Sequence, residues 1–545
     1  MQKAADSCSK SGCPFRKPFL VFIGVILLAA LSTWAWYGLQ NMSGRKAWQS
    51  YVRQAGARVF SANNGAASPE CNFLWFKGII PPEIPDEKNF ATHPFLKWDF
   101  ERFVKKGEGR SEVDQSAEKR WDSFIAGSPS STHRNKWAPS LASLRRANLA
   151  GIFGPTLTEK LMKFRGGGIS QTNEAVPTFE EVLKLCDEKF EPNLALYEEL
   201  RQYLKERPQA RFPIRYQDTF NALLPHLARI KGIANYATAF ACMDFARGQS
   251  QEALQEILYV LDLGDTLAAE PLIVSQLVRV DVSTTALDIL WEGLVSQAWN
   301  AEQLQQLQER ISKVSFWDGV KLGLMGERAC MNEALAQNLR RMDTMGEDLG
   351  LYSASEINEY EVRFKKMKAR LRPIGWYYRD LLQYNLMMDS MLSLLDNNVR
   401  RRSNRPEAIT IAFKEFDSYM DPDSRMKYTR LIALYEDQLH FKACFEKLAY
   451  HHFLHQAAEV ACALERYRLV NGSYPDSLKA LGELLPEDKI PRSWVDGLPL
   501  QIRLTDKGYQ LRARGWNWEN ISTAFVDSEL ETIPPKGEWV WEIRR

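Results

Sequence analysis

The sequence predicts a mainly α protein with a single N-terminal transmembrane helix, an α-solenoid-like or helical-bundle body, and a small C-terminal α+β domain with an antiparallel sheet. Three observations predict it. Residues Phe19–Leu39, FLVFIGVILLAALSTWAWYGL, carry no charge. At a rise of about 1.5 Å per residue they span about 30 Å, the hydrocarbon thickness of a bilayer. Apolar residues recur at spacings of three and four from Phe179 to about Asn397, the period of an amphipathic helix. After Asn471-Gly472 the period switches to two, as strands require.

Composition excludes several function classes. A chain of 545 residues exceeds what one core usually serves, so two or three folded units are expected. With 45% hydrophobic and 25% charged residues it has the make-up of globular proteins, not disordered ones. Lysine plus arginine (70) nearly balances aspartate plus glutamate (68), and no basic stripe marks a nucleic-acid partner. The densest basic patch, Arg400, Arg401, Arg402 and Arg405, reads as a solvated loop between helices. The eight cysteines are widely spaced without a C-x-x-C pair, so no disulfide framework is expected. No cofactor is predicted: Gly166-Gly167-Gly168 lacks the lysine of a phosphate cradle, and no G-x-S-x-G turn occurs.

Taken in order, residues 1–18 form a polar tail that includes Cys8 and Cys13. Arg16 and Lys17 abut the apolar run, whereas the next cation, Arg45, comes several residues after it. This places the tail in the cytoplasm and the body outside it. A cleaved signal peptide, cut after Ala30 and Ser32, is the alternative, but Trp34, Trp36 and Tyr37 match the aromatic belt of a retained helix. Residues 40–140 form a juxtamembrane segment. Prolines 81, 82, 85 and 94 make Ile79–Phe95 an extended strap, and Lys105–Ser131 reads as a polar linker.

Residues 141–427 form the helical array. One helix begins at Phe179 and another carries Leu194, Leu196, Tyr197, Leu200 and Leu204. Phe220–Ala246 and Glu252–Leu267 form a hairpin hinged at Gly248, followed by helices at Ile273–Ala298, Ala301–Val314 and Val320–Met342. The hairpin resembles a tetratricopeptide unit through Ala239, Ala241 and Ala253, without a strict 34-residue repeat. Residues 428–545 begin with a long helix from about Tyr428 to Val470. Leu500, Ile502 and Leu504 then alternate before Thr505-Asp506-Lys507-Gly508, and Tyr509, Leu511 and Ala513 after it, as in a β-hairpin. Trp539–Ile543 reads as a third strand.

Two runs in this last region carry a family resemblance. Glu465–Pro475, ERYRLVNGSYP, and Asp496–Leu500, DGLPL, resemble the periplasmic half of type II secretion pseudopilins. In that family the tyrosine-proline pair closes the long helix and the aspartate-glycine loop starts the sheet. The prepilin signal and the paired acidic residues of the family's calcium site are missing, so the resemblance implies a fold over about ninety residues and not pilus assembly. Over most of its length the chain also looks like an uncharacterised bacterial membrane-anchored helical protein family, through Pro82–Phe90 (PPEIPDEKNF less its first proline) and Arg372–Tyr378 (RPIGWYY). That group implies an architecture and carries no established activity.

One dense ionisable cluster remains. His451, His455 and Glu459 fall four apart on one helical face, within reach of a shared divalent ion, with His452 beside them. There is no H-E-x-x-H core. Two function classes follow. The first is a membrane-tethered extracytoplasmic binding or scaffolding protein, held in the lipid bilayer through Phe19 to Leu39 and partnered by a protein at the cell envelope. The second is a metal-dependent or hydrolytic enzyme using the histidine cluster.

Overall fold

The computed structural model describes residues 16–61, 78–104, 115–127, 179–340, 373–401, 441–493, 497–515 and 538–544. The chain divides into two compact units. The first takes Met1–Leu74, Met331–Met388 and Phe416–Leu439, and the second takes Trp75–Cys330, Asp389–Glu415 and His440–Arg545.

In the first unit, α1 (Arg16–Ser61) is one helix of 46 residues. It runs well past the predicted span because residues 40–61 contain no proline to break it. Its apolar part is long enough to cross a membrane, and among the described residues much of it stands uncovered: Val21 is 67% exposed, Leu28 69% and Trp34 77%. The unit also holds the C-terminal end of α9 (Trp317–Arg340) and the first part of α10 (Ile374–Arg401). Asn332 and Asn385 join these two helices by reciprocal amide hydrogen bonds of 3.0 and 2.7 Å.

The second unit opens with the proline strap. Its prolines exclude an α-helix, and the chain instead makes tight turns at Asp86–Lys88 and Phe90–Thr92 before α2 (Pro94–Val104). Phe90 and Phe95 are buried, as the strap reading requires, while Phe73, Trp75 and Phe76 lie outside the described residues. Within the linker expected at Lys105–Ser131, residues Gln115–Gly127 instead form helix α3, and the rest of that stretch lies outside the described residues. Trp121, Phe124 and Ile125 give that polar stretch a narrow apolar stripe, and Phe124 packs against Tyr236 at 4.4 Å between ring centroids.

The two helices expected after Phe179 are one, α4 (Phe179–Glu206), with Pro192 inside it. Proline's fixed φ is helical, so the chain continues at the loss of one hydrogen bond. Helices α5 (Pro225–Ala246) and α6 (Ser250–Asp265) form the predicted hairpin, and Gly248 takes the positive φ (75°) its turn demands. Helix α7 (Ile273–Val295) packs on both of them, which makes a bundle core of three helices. Helix α8 (Ala301–Ile311) follows, closed at its N-terminus by a reciprocal capping box between Asn300 and Gln303.

Helix α11 (Phe441–Asn471) returns from the far end of the sequence and packs on α7 and α8. Residues Ala457, Ala458 and Val460 to Leu464 are buried around its whole circumference. The long helix predicted to head a separate domain is therefore a central helix of the bundle, because a helix apolar on all sides needs cover on all sides. The part predicted before residue 441 lies outside the described residues. Gly472 closes the helix at φ 76°, its N–H donating to the Arg468 carbonyl (2.8 Å).

The sheet has the order β1-β2-β3, from β1 (Gln501–Thr505), β2 (Gly508–Arg514) and β3 (Glu538–Arg544), antiparallel throughout. Pairing sets Tyr509 opposite Ile543, Leu511 opposite Trp541 and Ala513 opposite Trp539, so one face of β2 and β3 is a continuous apolar layer. That layer closes on the bundle: Trp539 packs against Tyr450 and Phe453 of α11, and Trp291 of α7 donates to the Glu542 carbonyl (3.0 Å).

Candidate functional site

Helix α11 brings its histidines to the seam where it meets α7 and the start of α9. His451 is buried, and its Nδ1 lies 2.7 Å from Thr284 Oγ1 of α7. The threonine hydroxyl donates to the Val280 carbonyl (2.8 Å), which leaves its lone pairs to accept from the histidine Nδ1–H. Burial pushes the His451 pKa down to about 3. His452 sets its ring edge against Trp317 (5.4 Å), and burial brings it down to about 4. His455 sits against Phe316 (4.8 Å) with neither ring nitrogen hydrogen-bonded. Burial lowers its pKa well below 6.5, and the charges of His451, His452, Arg279 and Arg310 push the same way. Glu459 moves oppositely, raised by burial to about 7.

Neutral histidines beside a carboxyl of raised pKa are what a solvent-poor interface produces. The metal set expected from the spacing, His451, His455 and Glu459, is not gathered: among the described residues no three histidine, cysteine, aspartate or glutamate side chains group to hold an ion. Helical spacing put them on one face, but His451 turns to Thr284 and His455 to Phe316, so their nitrogens do not converge.

The histidines have a measurable consequence. His455 stays neutral in the fold but protonates below about pH 6.5 when unfolded, so its contribution is fully present above that pH and is lost as pH falls through it. Glu459 acts in the opposite sense, its contribution being lost as pH rises toward 7. Replacing His455 by leucine isolates the histidine. The unfolding free energy of His455→Leu is expected to fall less steeply on acidification, by about 1.4 kcal/mol per pH unit below pH 6, with little change at pH 8. Parallel pH curves for the two chains in urea titrations would refute this.

Other ionisable groups tie helices together. Glu256 of α6 accepts the Tyr197 hydroxyl of α4 and pairs with Arg201 at 2.9 Å, and burial raises its pKa to about 7. His226, at the start of α5, meets Glu270 at 2.9 Å with Phe212 stacked on its ring at 4.1 Å. Arg279 of α7 donates to Asp265 (2.8 Å) and to the Ser315 carbonyl (2.9 Å). Sequence reasoning missed these groups, although Glu256 left a signal: it interrupts the apolar stripe of Ala253, Leu254, Ile257 and Val260.

Two quoted motifs acquire structural roles. In Pro82–Phe90, Asn89 Oδ1 accepts from the backbone N–H groups of Ala91 (3.1 Å) and Arg211 (2.9 Å). Arg211 in turn donates to the Pro81 carbonyl (2.9 Å) and to Glu83 (2.6 Å), which clamps the strap. At the end of α11, the Tyr474 hydroxyl donates to buried Glu465 at 2.5 Å and Arg468 donates to the same carboxylate at 2.8 Å, so the residues after the helix fold back on it. The five cysteines among the described residues, Cys186, Cys242, Cys330, Cys444 and Cys462, are free. Burial raises the thiol pKa of each, which removes them as nucleophiles near neutral pH. Comparison with family models, with curated proteins and with solved structures returns no match.

Proposed function

We propose that this chain is a membrane-tethered scaffolding protein whose body stands on the extracytoplasmic side of a bacterial inner membrane and holds a protein partner at the envelope. The observation that carries the reading is the uncovered apolar surface of α1. Side chains such as Val21, Leu28, Leu31 and Trp34 stand open along a helix of membrane-spanning length, a surface that lipid acyl chains would cover. Arg16 and Lys17 before the run support a cytoplasmic start, and the pseudopilin-like end of the chain supports a periplasmic body. A binding role is favoured over catalysis because buried ionisable groups such as Glu256 and Arg279 are engaged in holding helices together.

The test is fractionation. The full-length chain is expected to remain in the membrane pellet after an alkaline carbonate wash, with its C-terminus digested by protease added to spheroplasts. Release into the wash would refute the tether, and a protected C-terminus would reverse the orientation. In-cell crosslinking followed by mass spectrometry then identifies the partner.

A further inference from the structure

We infer that the start of α10, at Ile374, is a second membrane contact, seated at the boundary between headgroups and acyl chains of the bilayer that α1 crosses. The inference rests on the tether reading and adds a surface to it. Trp36 lies seventeen residues beyond Phe19, about 26 Å along α1, which puts it near the far edge of a hydrocarbon core of about 30 Å. Trp376 packs edge-on against Trp36, with ring centroids 5.8 Å apart, and so shares its depth. Such aromatic side chains favour the membrane interface.

This level is locked. Trp376 Nε1 donates to Gln40 Oε1 (3.4 Å), Gly375 N–H donates to Asn41 Oδ1 (3.0 Å), and Arg379 donates to Ser43 Oγ (3.2 Å). Gly44 and Gly375 let the two backbones touch: a Cβ at Gly44 would strike the Gly375 carbonyl, and one at Gly375 would strike the Gln40 carbonyl. The start of α10 is therefore held at the level of Trp36 to Gly44 on α1.

Ile374 precedes that contact and is 44% exposed, and Leu39 and Met42 on α1 are exposed at the same level. Arg45, Lys46 and Arg379 are exposed just beyond, where phosphates would lie. An apolar edge bordered by cations, at a depth fixed by a spanning helix, fits the lipid interface, into which apolar faces sink by roughly 5–10 Å. Lipid is the occupant because α1 carries this edge down to the bilayer surface whatever else the body binds.

The experiment uses the full chain reconstituted in phosphatidylcholine and phosphatidylglycerol vesicles. An environment-sensitive fluorescent amino acid is introduced by nonsense suppression at Ile374 or, separately, at Leu28. Both probes are expected to emit blue-shifted light and to lose intensity with brominated phospholipid. A Leu28 probe quenched by lipid beside an Ile374 probe quenched only by aqueous iodide would overturn the inference and leave the tether standing. Neither probe quenched by lipid would overturn both. Because the probe could itself disturb the α1–α10 contact, the unsubstituted chain is also labelled with a phospholipid bearing a photoactivated carbene near its headgroup. Label on the peptide containing Ile374 supports the inference, and label confined to the anchor peptide overturns it.

Discussion

Replacing Gly326 by alanine is expected to destabilise the bundle by at least about 3 kcal/mol, at or above the upper end of usual overpacking costs. Gly326 lies on α9 where that helix crosses the start of α7, and an added Cβ would overlap the Pro271 carbonyl. That obstacle is backbone and cannot rotate aside. Gly323 and Gly319 continue the same ridge: a Cβ at Gly323 would come within 3.0 Å of Ile273 Cα, and one at Gly319 would meet the Gln276 amide. The crossing also carries a cap, since Glu327 accepts the Ile273 N–H at 3.3 Å. Pushing the helices apart would lengthen that bond and open the buried interface together. The measurement is urea unfolding of the full chain in detergent, followed by near-ultraviolet circular dichroism. A midpoint for Gly326→Ala equal to that of the natural chain would show that the helices cross less closely.

Glu256→Ala should be the most damaging change at an ionisable side chain, at about 3 kcal/mol. Tyr197 is wholly buried, so its hydroxyl would lose its partner with no water in reach, while Arg201, a quarter exposed, recovers part of its loss from solvent. Glu256→Gln keeps the atom that accepts from Tyr197 and is expected to cost about half as much. A double-mutant cycle with Tyr197→Phe separates the hydroxyl's share: coupling near zero would mean that Glu256 acts through Arg201 alone. The raised pKa adds a direction. The Glu256 carboxyl holds its proton more tightly in the fold than in the open chain between about pH 4.5 and 7, so its protonation favours the fold below that window and the gain is lost as pH rises through it.

How much of this was legible in the sequence differs between levels. The long apolar helix was, because an uncharged stretch of twenty-one residues is written directly in the chain. The hairpin about Gly248 and the three strands were legible too, since periods of 3.6 and 2 are written directly in side-chain spacing. Helix α3 was obscured because only three apolar residues in a polar stretch carry it. The continuity of α4 was obscured because Pro192 looks like a break until the surrounding packing shows that it is tolerated.

The candidate site shows the difference most clearly. Spacing placed His451, His455 and Glu459 on one face, and the helix does present them so. Spacing does not say what stands opposite, and there the neighbours are Thr284 and Phe316, which take the first two histidines in separate directions. The sequence by itself determined the elements and the apolar span, because local propensity and periodicity are properties of adjacent residues. Only tertiary structure decided that α11 is central to the bundle, that Glu256 and Arg279 join distant helices, and that Gly375 meets Gly44. Those outcomes depend on which surfaces meet across hundreds of residues, and no local spacing encodes that.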